Sequence, residues 1–359
     1  MMRFYMPTRI YQEQDCVMHH AAELAALGTH ALLVTGRNSS RRNGSLADVS
    51  EALTSRHISF TVFDQIEENP SVETVMAARD IGLQAGADFV VGIGGGSPMD
   101  AAKAISVMLA NPDKDWTYLY EKCNAAALPV AAVPTTCGTG SEATGVAVLT
   151  RHDLGTKVSM THRLFPALAL VDGKYLLTAP MQIIRNTAVD ALAHLIESII
   201  HSAADAYSDM TAFAGLSAWR DCRSVISGES ELNAATAQQL MHASTLAGMS
   251  IAQTGTSIPH ALSYLLTCRG GIPHGAAVGA FQANFLQLAE TARRNAVLSA
   301  SGFADTDALR SWIRDNAPAH PDAELLAQSA EAVLQNPAKL KTCPFPVDAQ
   351  VMQKIIAGI

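Results

Sequence analysis

Charge, aromatic rings and long apolar runs are all scarce in this chain. Of its 359 residues, 16% are Asp, Glu, Lys or Arg and 6% are Phe, Tyr or Trp, against 48% that are hydrophobic. Such a composition excludes a disordered or fibrous chain and describes a packed globule. The 25 basic and 33 acidic residues leave a formal charge of −8. That balance argues against chain-wide affinity for nucleic acid or an anionic membrane, though not against a local basic pocket. No apolar run reaches the ~20 residues a spanning helix needs. Residues 1–14 lack the apolar stretch of a secretory signal. The six cysteines include no Cys-x-x-Cys pair. Dispersed in so long a chain, they read as reduced thiols of a cytoplasmic protein, not as a disulfide framework. No Gly-x-Ser-x-Gly elbow is present, which sets aside a Ser-His-Asp hydrolase. Internal repeats and low-complexity tracts are absent as well.

What is present divides in two. A chain of this length exceeds one ordinary core, so two domains are expected. In the first half, short β-branched runs at 30–35, 59–63, 88–93 and 129–133 predict strands, the first of them buried. Helical stretches separate them, one at 46–55 and one from a Ser71 cap to about Gly86. Strands alternating with helices imply right-handed crossovers and a parallel, doubly wound sheet. After Pro180 the texture becomes Ala/Leu-rich and helical, as at 188–201, 204–224 and 234–252. The expected architecture is an α/β domain over residues 1–178 and an all-helical domain over 179–359, with chemistry in the cleft between them.

Residues 92–103 read Gly-Ile-Gly-Gly-Gly-Ser-Pro-Met-Asp-Ala-Ala-Lys, following a strand and opening a helix. Without Cβ atoms, Gly94, Gly95 and Gly96 let backbone N–H groups approach a diphosphate at the positive end of that helix. Ser97, Pro98 and Asp100 fit the N-cap, first and third helical positions of a capping box. The same string could be a well-capped turn with no ligand. At the carboxyl end of a parallel strand, a triple glycine favours phosphate. A second element, Pro-Thr-Thr-Cys-Gly-Thr-Gly-Ser-Glu at 134–142, also follows a strand. Alone it is a polar loop; paired with the first, it suggests two loops closing over one dinucleotide.

Asp190 and His194 stand one turn apart on a single helical face, and His260 and His274 lie far downstream. One carboxylate and three imidazoles make a mixed O/N set that suits Fe(II) or Zn(II). Each also has a bland reading: Asp190 as a turn cap, His194 as a satisfied core histidine. The other histidines, at 19, 20, 30, 57, 152, 162, 201, 242 and 320, show no convergent spacing and read as structural or solvated. Cys137 reads as a small packing residue within the second loop, and Cys268 is not needed as a ligand.

Taken together, the two loops resemble the signature segments of the iron-containing alcohol dehydrogenase family. The resemblance implies a dehydroquinate synthase-like architecture, with Gly94, Gly95, Gly96, Ser97 and Asp100 at the pyrophosphate. It places Thr135, Thr136, Thr139 and Ser141 against the nicotinamide half. Lys157 matches the lysine that follows, and Thr178 lies where the family chain passes the nicotinamide, in a looser match. Asp190, His194, His260 and His274 match the family's metal ligands, so iron (with zinc the competing ion) is expected. One departure stands out: Tyr264 occupies a position where many members carry a further histidine, so it either joins the proton relay or shapes an apolar pocket. Gly36 occupies the place where NAD-preferring members carry Asp. With the donors Ser39, Ser40 and Arg41 behind it, this favours NADP(H) over NAD(H), a solvated loop being the alternative.

The implied activity is hydride transfer between NAD(P)(H) and a small alcohol or aldehyde, the metal polarising the substrate oxygen. The Ala-rich helices around the ligands point to a small, weakly charged substrate. A homodimer is implied. A glycerol-type polyol dehydrogenase, a dehydroquinate synthase-like lyase needing several Lys and Arg at its substrate, and a non-catalytic metal scaffold are the rival readings.

Overall fold

The computed structural model describes residues 2–359. Its strands are β1 (Arg9–Gln12), β2 (His30–Thr35), β3 (Ser59–Phe63), β4 (Phe89–Gly94), β5 (Val130–Pro134), β6 (Val148–Arg151), β7 (Thr156–Ser159) and β8 (Leu168–Val171). Six form one sheet in the order β1-β8-β5-β4-β2-β3, every pair parallel. β4 and β5 are buried along their whole length, as a parallel sheet covered on both faces requires, and so read as continuous apolar runs. Helices Ser45–Ser55, Val72–Ala85 and Gly96–Ala110 cover the sheet. One apolar cluster lies on each face, one around Leu32, Val90 and Ile105, the other around Leu33, Phe89 and Leu53.

The sheet has six strands, not four. β1 and β8 are four residues each, and β1 is an edge strand with no fully buried position. Neither carries enough alternation to be seen before its neighbour is known. β6 and β7 form a separate antiparallel hairpin, equally short. The four expected strands and the helices at 46–55 and 71–86 agree to within a residue or two, whereas the helix expected over 188–201 already begins at Met181. Ser71 accepts a hydrogen bond from Thr74 N as the N-cap of Val72–Ala85, and Gly86 closes that helix in the left-handed region at φ 70°.

From Met181 onward the described residues contain helices and no strand. The 20-residue helix Met181–Ile200 runs through the middle, buried almost continuously from Ala188 to Ile200. Helices Ala206–Asp221, Ala234–Thr254 and His274–Gln287 pack around it, enclosing a third apolar cluster. The expected helix over 204–224 is interrupted at Cys222, after which Arg223–Ser227 forms a short separate turn. No described helix is long and apolar enough to cross a membrane. All six cysteines are free.

β2 has β3 on one side and β4 on the other, so the strand order reverses between β2 and β4. The chain leaving both strands at their carboxyl ends opens a crevice there, the general ligand position of such sheets. Gly36 follows β2, and Gly95 follows β4.

Candidate active site in the cleft

β4 ends at Gly94 with φ 149°, where a Cβ would lie 2.6 Å from Pro98 Cγ. Helix Gly96–Ala110 starts at once, with Gly95 as its N-cap. A Cβ on Gly95 would meet Thr136 Oγ1 at 3.1 Å, and one on Gly96 would meet Thr139 Cγ2 at 2.8 Å. The two loops therefore abut along a line of glycines and threonines that leaves space only for bare backbone. That cradle fits a diphosphate.

The capping box expected of Ser97 and Asp100 does not form. The helix begins ahead of Ser97, and no side chain caps it. Ser97 Oγ accepts from Asn69 N (3.1 Å), while Asp100 accepts from Ser141 Oγ (2.6 Å) and Val148 N (2.9 Å). Both side chains tie neighbouring loops to the helix instead. Beneath them Lys103, fully buried, donates to Ser141 O (2.8 Å), Ser141 Oγ (2.7 Å) and Val146 O (2.8 Å). Burial pushes its pKa down, opposed by the charges of Asp100 and Glu142. Glu142, also buried and pushed upward by that burial, accepts from Thr245 Oγ1 at 2.8 Å. This internal bolt fixes the second loop against the first and against the helical half.

A cavity of about 860 Å³ runs from these loops to the helical half. Gly36, Ser39, Gly95, Gly96, Ser97, Asp100, Thr136, Thr139, Ser141 and Lys157 line it, as do Asp190, His194, His260, Tyr264 and His274. Gly94 and Thr135 are buried and not among the lining residues. Ser40 turns inward to accept from Thr35 Oγ1 (2.7 Å), and Arg41 pairs outward with Asp64 (2.7 Å). Thr178 is exposed on the approach to helix Met181–Ile200; Ile183, Asn186 and Thr187 of that helix face the cleft where it was expected.

At the inner end, three imidazoles surround one carboxylate oxygen. Asp190 Oδ1 lies 3.4 Å from His260 Nε2, 3.6 Å from His274 Nε2 and 3.9 Å from His194 Nε2. Asp190, His260 and His274 offer ligand atoms all within 4.8 Å of one another. His194 stacks on His260, ring centroids 4.4 Å apart. Each remote nitrogen is engaged: His194 Nδ1 with Gly138 O (3.3 Å), His260 Nδ1 with Glu197 Oε1 (2.6 Å), His274 Nδ1 with Ser263 Oγ (3.4 Å). The three Nε2 atoms thereby face Asp190 Oδ1, with those of His260 and His274 in the tight group and that of His194 just outside it.

Asp190 Oδ1 and His260 Nε2 are buried without a hydrogen-bond partner. Uncompensated buried polar atoms are costly, and a cation between them removes that cost. Burial pushes His274 down to about 3 and lowers His194, keeping both as neutral imidazoles with a lone pair free for a metal. Burial acts the same way on His260, but Glu197 and Asp190 outweigh it and raise it to about 9.

Glu197 was not singled out from the sequence. It is fully buried and accepts from His260 Nδ1, Ser257 N (2.6 Å) and Gln282 Nε2 (2.8 Å). Its place seven residues after Asp190 returns it to the same helical face, a signal that does not by itself distinguish it from an ordinary solvated glutamate. Tyr264 reaches the cleft from helix Ile258–Cys268, and burial pushes its phenol up to about 12. It is a neutral O–H in this setting. Lys157, on β7, points into the cleft with its pKa lowered by burial, against the pull of nearby acids.

Two family models match the chain: iron-containing alcohol dehydrogenase over residues 7–173, and the C-terminal part of the Fe-containing alcohol dehydrogenase family over residues 184–308. The chain is similar to an NADPH-dependent butanol dehydrogenase of Clostridium saccharobutylicum, 29% identical over 284 residues that make up 77% of this chain and 71% of that one. Among solved structures, it matches an iron containing alcohol dehydrogenase over 100% of both chains, with 32% identity and a TM-score of 0.92. It also matches an iron-containing alcohol dehydrogenase from Thermotoga maritima over 98% of both chains, with 33% identity and a TM-score of 0.90.

Proposed function

The chain belongs to the iron-containing alcohol dehydrogenase family, and on that premise we propose that it interconverts a small alcohol and its aldehyde using a nicotinamide dinucleotide and a divalent metal. The observation that carries this reading is the convergence of three Nε2 atoms on the unpartnered Asp190 Oδ1, at the end of a glycine-lined cleft. Asp190, His194, His260 and His274 would hold the ion, their one oxygen and three nitrogens suiting Fe(II), with Zn(II) the competing ion. When bound, the metal supplies Lewis acidity toward the substrate oxygen and the dinucleotide supplies or takes the hydride.

The chain's own residues do the positioning. Glu197 holds the proton of His260 on Nδ1 and fixes the ring, as outer carboxylates do for metal-binding histidines. Gly95, Gly96, Thr136 and Thr139 shape the diphosphate cradle. Tyr264 stays protonated across the neutral range, so it serves as a hydrogen-bond donor at the substrate, not as a base.

NADP(H) is the preferred cofactor in this reading. Gly36 and Ser39 support it: no carboxylate projects from the end of β2 to repel a 2′-phosphate, and a hydroxyl lies beside it. The inward Ser40 and the paired Arg41 give it no support in their present positions. The exposed apolar side chains Met2, Phe4, Tyr5, Tyr207 and Met210, with the Phe4 and Tyr207 rings 6.1 Å apart, support a second copy docking on this face. Light scattering reads that state directly.

The activity test strips metal by chelation, reloads the protein with Fe(II) or Zn(II), and follows NADPH oxidation with short aldehydes, ketones and, in reverse, polyols. Metal-dependent turnover of aldehydes is expected. Metal-loaded protein inert to every member of the panel sinks the reading, and a preference for polyols moves it to the glycerol-type enzymes.

A further inference from the structure

The cleft continues past the histidine cluster to a wall formed by His201, Thr254, Thr256, Asn336, Lys339 and Thr342. Lys339 lies on the short helix Pro337–Leu340, half-buried. Among the described residues, no carboxylate pairs with its ammonium. Its hydrogen bond is a long one, to Thr256 O at 3.4 Å. Burial pushes its pKa down, opposed by the charge of Glu197, but both of that carboxylate's oxygens are taken, by His260, Gln282 and Ser257. An ammonium drawn out of water without a partner is costly, and this one faces a cavity.

His201 supplies a second donor. It caps the carboxyl end of helix Met181–Ile200, and its Nδ1 accepts from Ala203 N at 3.0 Å. That bond places the proton of the neutral ring on Nε2. Burial, together with the charge of Lys339, holds the ring at about 4 against the pull of Glu197, so it is neutral at physiological pH. A Cβ on Gly255 would come 3.9 Å from His201 Nε2, so the missing side chain leaves that N–H clear. Asn336 Oδ1 accepts from Lys339 N (3.3 Å), which leaves its amide N–H groups for a ligand. His201 lies seven residues beyond His194, roughly 10 Å along the helix axis. A short chain spans that distance from the metal ligands.

We propose that this wall is an oxyanion subsite and that the substrate is an aldehyde, or its alcohol, carrying a terminal anionic group such as a carboxylate or sulfonate. The inference rests on the alcohol–aldehyde reading above and replaces its weakly charged substrate with an anionic one. The ammonium of Lys339 pairs with the distal anion, His201 Nε2–H and the Asn336 amide donate to it, and the aldehyde end lies at Asp190 and the histidines. The competing account makes Lys339 only a counter-charge for buried Glu197.

The test compares kcat/KM of the metal-loaded enzyme with NADPH for succinic semialdehyde, its sulfonate counterpart and pentanal, which has similar length and no charge. Wild type should favour an anionic substrate at least about tenfold, and whichever of the two anions is preferred identifies the source. In Lys339→Met this preference should fall about tenfold to a hundredfold, the range for losing a charge-assisted hydrogen bond. Lys339→Arg should keep most of it, and His201→Gln should lose several-fold. Independently of turnover, glutarate should raise the melting temperature of metal-loaded wild type and Lys339→Arg, but not of Lys339→Met. A wild type that reduces pentanal and both anionic aldehydes equally, with glutarate giving no shift, overturns the subsite and leaves the dehydrogenase reading intact. Glutarate stabilisation lost in Lys339→Met, with no aldehyde turned over, supports the subsite and overturns that reading. A Lys339→Met variant that loses metal while keeping the wild-type substrate ratio assigns Lys339 to charge balance and overturns the proposal.

Discussion

At the glycine-lined end of the cleft, the wall is a tight turn where Gly95 and Gly96 lie against Thr136 and Thr139 with no room for a Cβ to spare. At the metal end it is built of ionisable side chains sunk into helices, with Asp190, His260 and Glu197 all buried. The two ends should therefore fail in opposite ways. A site of bare backbone is damaged by atoms added to it, because a new Cβ pushes the facing loop away. A site of buried charges is damaged by atoms removed, because each lost partner leaves another charge uncompensated. Substitutions that add at one end and subtract at the other separate the two ligands.

The largest effect is expected from His260→Ala. It removes one of the Nε2 atoms facing Asp190 and leaves Glu197 without the imidazole that donates to it. Metal content measured by mass spectrometry should fall to background, and kcat/KM by on the order of a thousandfold, the scale of losing a Lewis acid. NADPH binding, followed by fluorescence, should survive. Full metal content in this variant removes His260 from the ligand set. Glu197→Gln is gentler: it keeps the shape but weakens the acceptor of His260 Nδ1. Metal affinity by chelator competition should fall up to about a hundredfold, as for other outer-shell carboxylates. No change would reduce Glu197 to packing.

Glu197 also marks the limit of what could be read from residues alone. The strands β2, β4 and β5 declare themselves because each is a buried apolar run bounded by turn residues, and β3 because it is a short β-branched and aromatic run, though only Phe63 of it is buried. The glycine loops do so because few other contexts call for three glycines after a strand. The four expected metal ligands came together only through resemblance to a family, since 12 histidines make coincidental spacings common. Glu197 shares a helical face with Asp190 and His194, yet a glutamate in a helix is ordinarily solvated. Its role becomes visible only when the Ile258–Cys268 helix is packed against it. His201 reads as structural or solvated because no convergent spacing joins it to the other histidines. Lys339 comes from a four-residue helix near the end of the chain, whereas the expectation of a weakly charged substrate was drawn from the Ala-rich helices around the ligands. Ser97 and Asp100 mislead in the other direction: their spacing fits a capping box, but tertiary partners at Asn69, Ser141 and Val148 claim them first.

At the backbone end, Gly96→Ala is the matching test. Its Cβ would lie 2.8 Å from Thr139 Cγ2, so the second loop must move and the cradle widen. Overpacking of this kind costs about 1–3 kcal/mol, which weakens the diphosphate contact by roughly tenfold or somewhat more. NADPH and NADH share that diphosphate and should suffer alike in fluorescence titrations, while metal content stays at the wild-type level. Metal loss in Gly96→Ala would mean that the two ends are coupled and not separable.

The smallest expected effect is also the most selective. Gly36 lies on the cleft lining after β2, its φ outside the left-handed region, and a Cβ there would approach Ile66 O at 3.3 Å. A shift of a few tenths of an ångström admits a side chain, so Gly36→Asp should fold. Its carboxylate would accept hydrogen bonds from ribose hydroxyls and repel a 2′-phosphate. The ratio of kcat/KM for NADPH to that for NADH should fall roughly tenfold, the scale of about 1.4 kcal/mol. Gly96→Ala strikes the part both cofactors share; Gly36→Asp strikes the one part in which they differ. A wild-type enzyme that already prefers NADH, or a ratio unmoved by the aspartate, would place the adenosine ribose away from Gly36 and end the case for NADP(H) built on it.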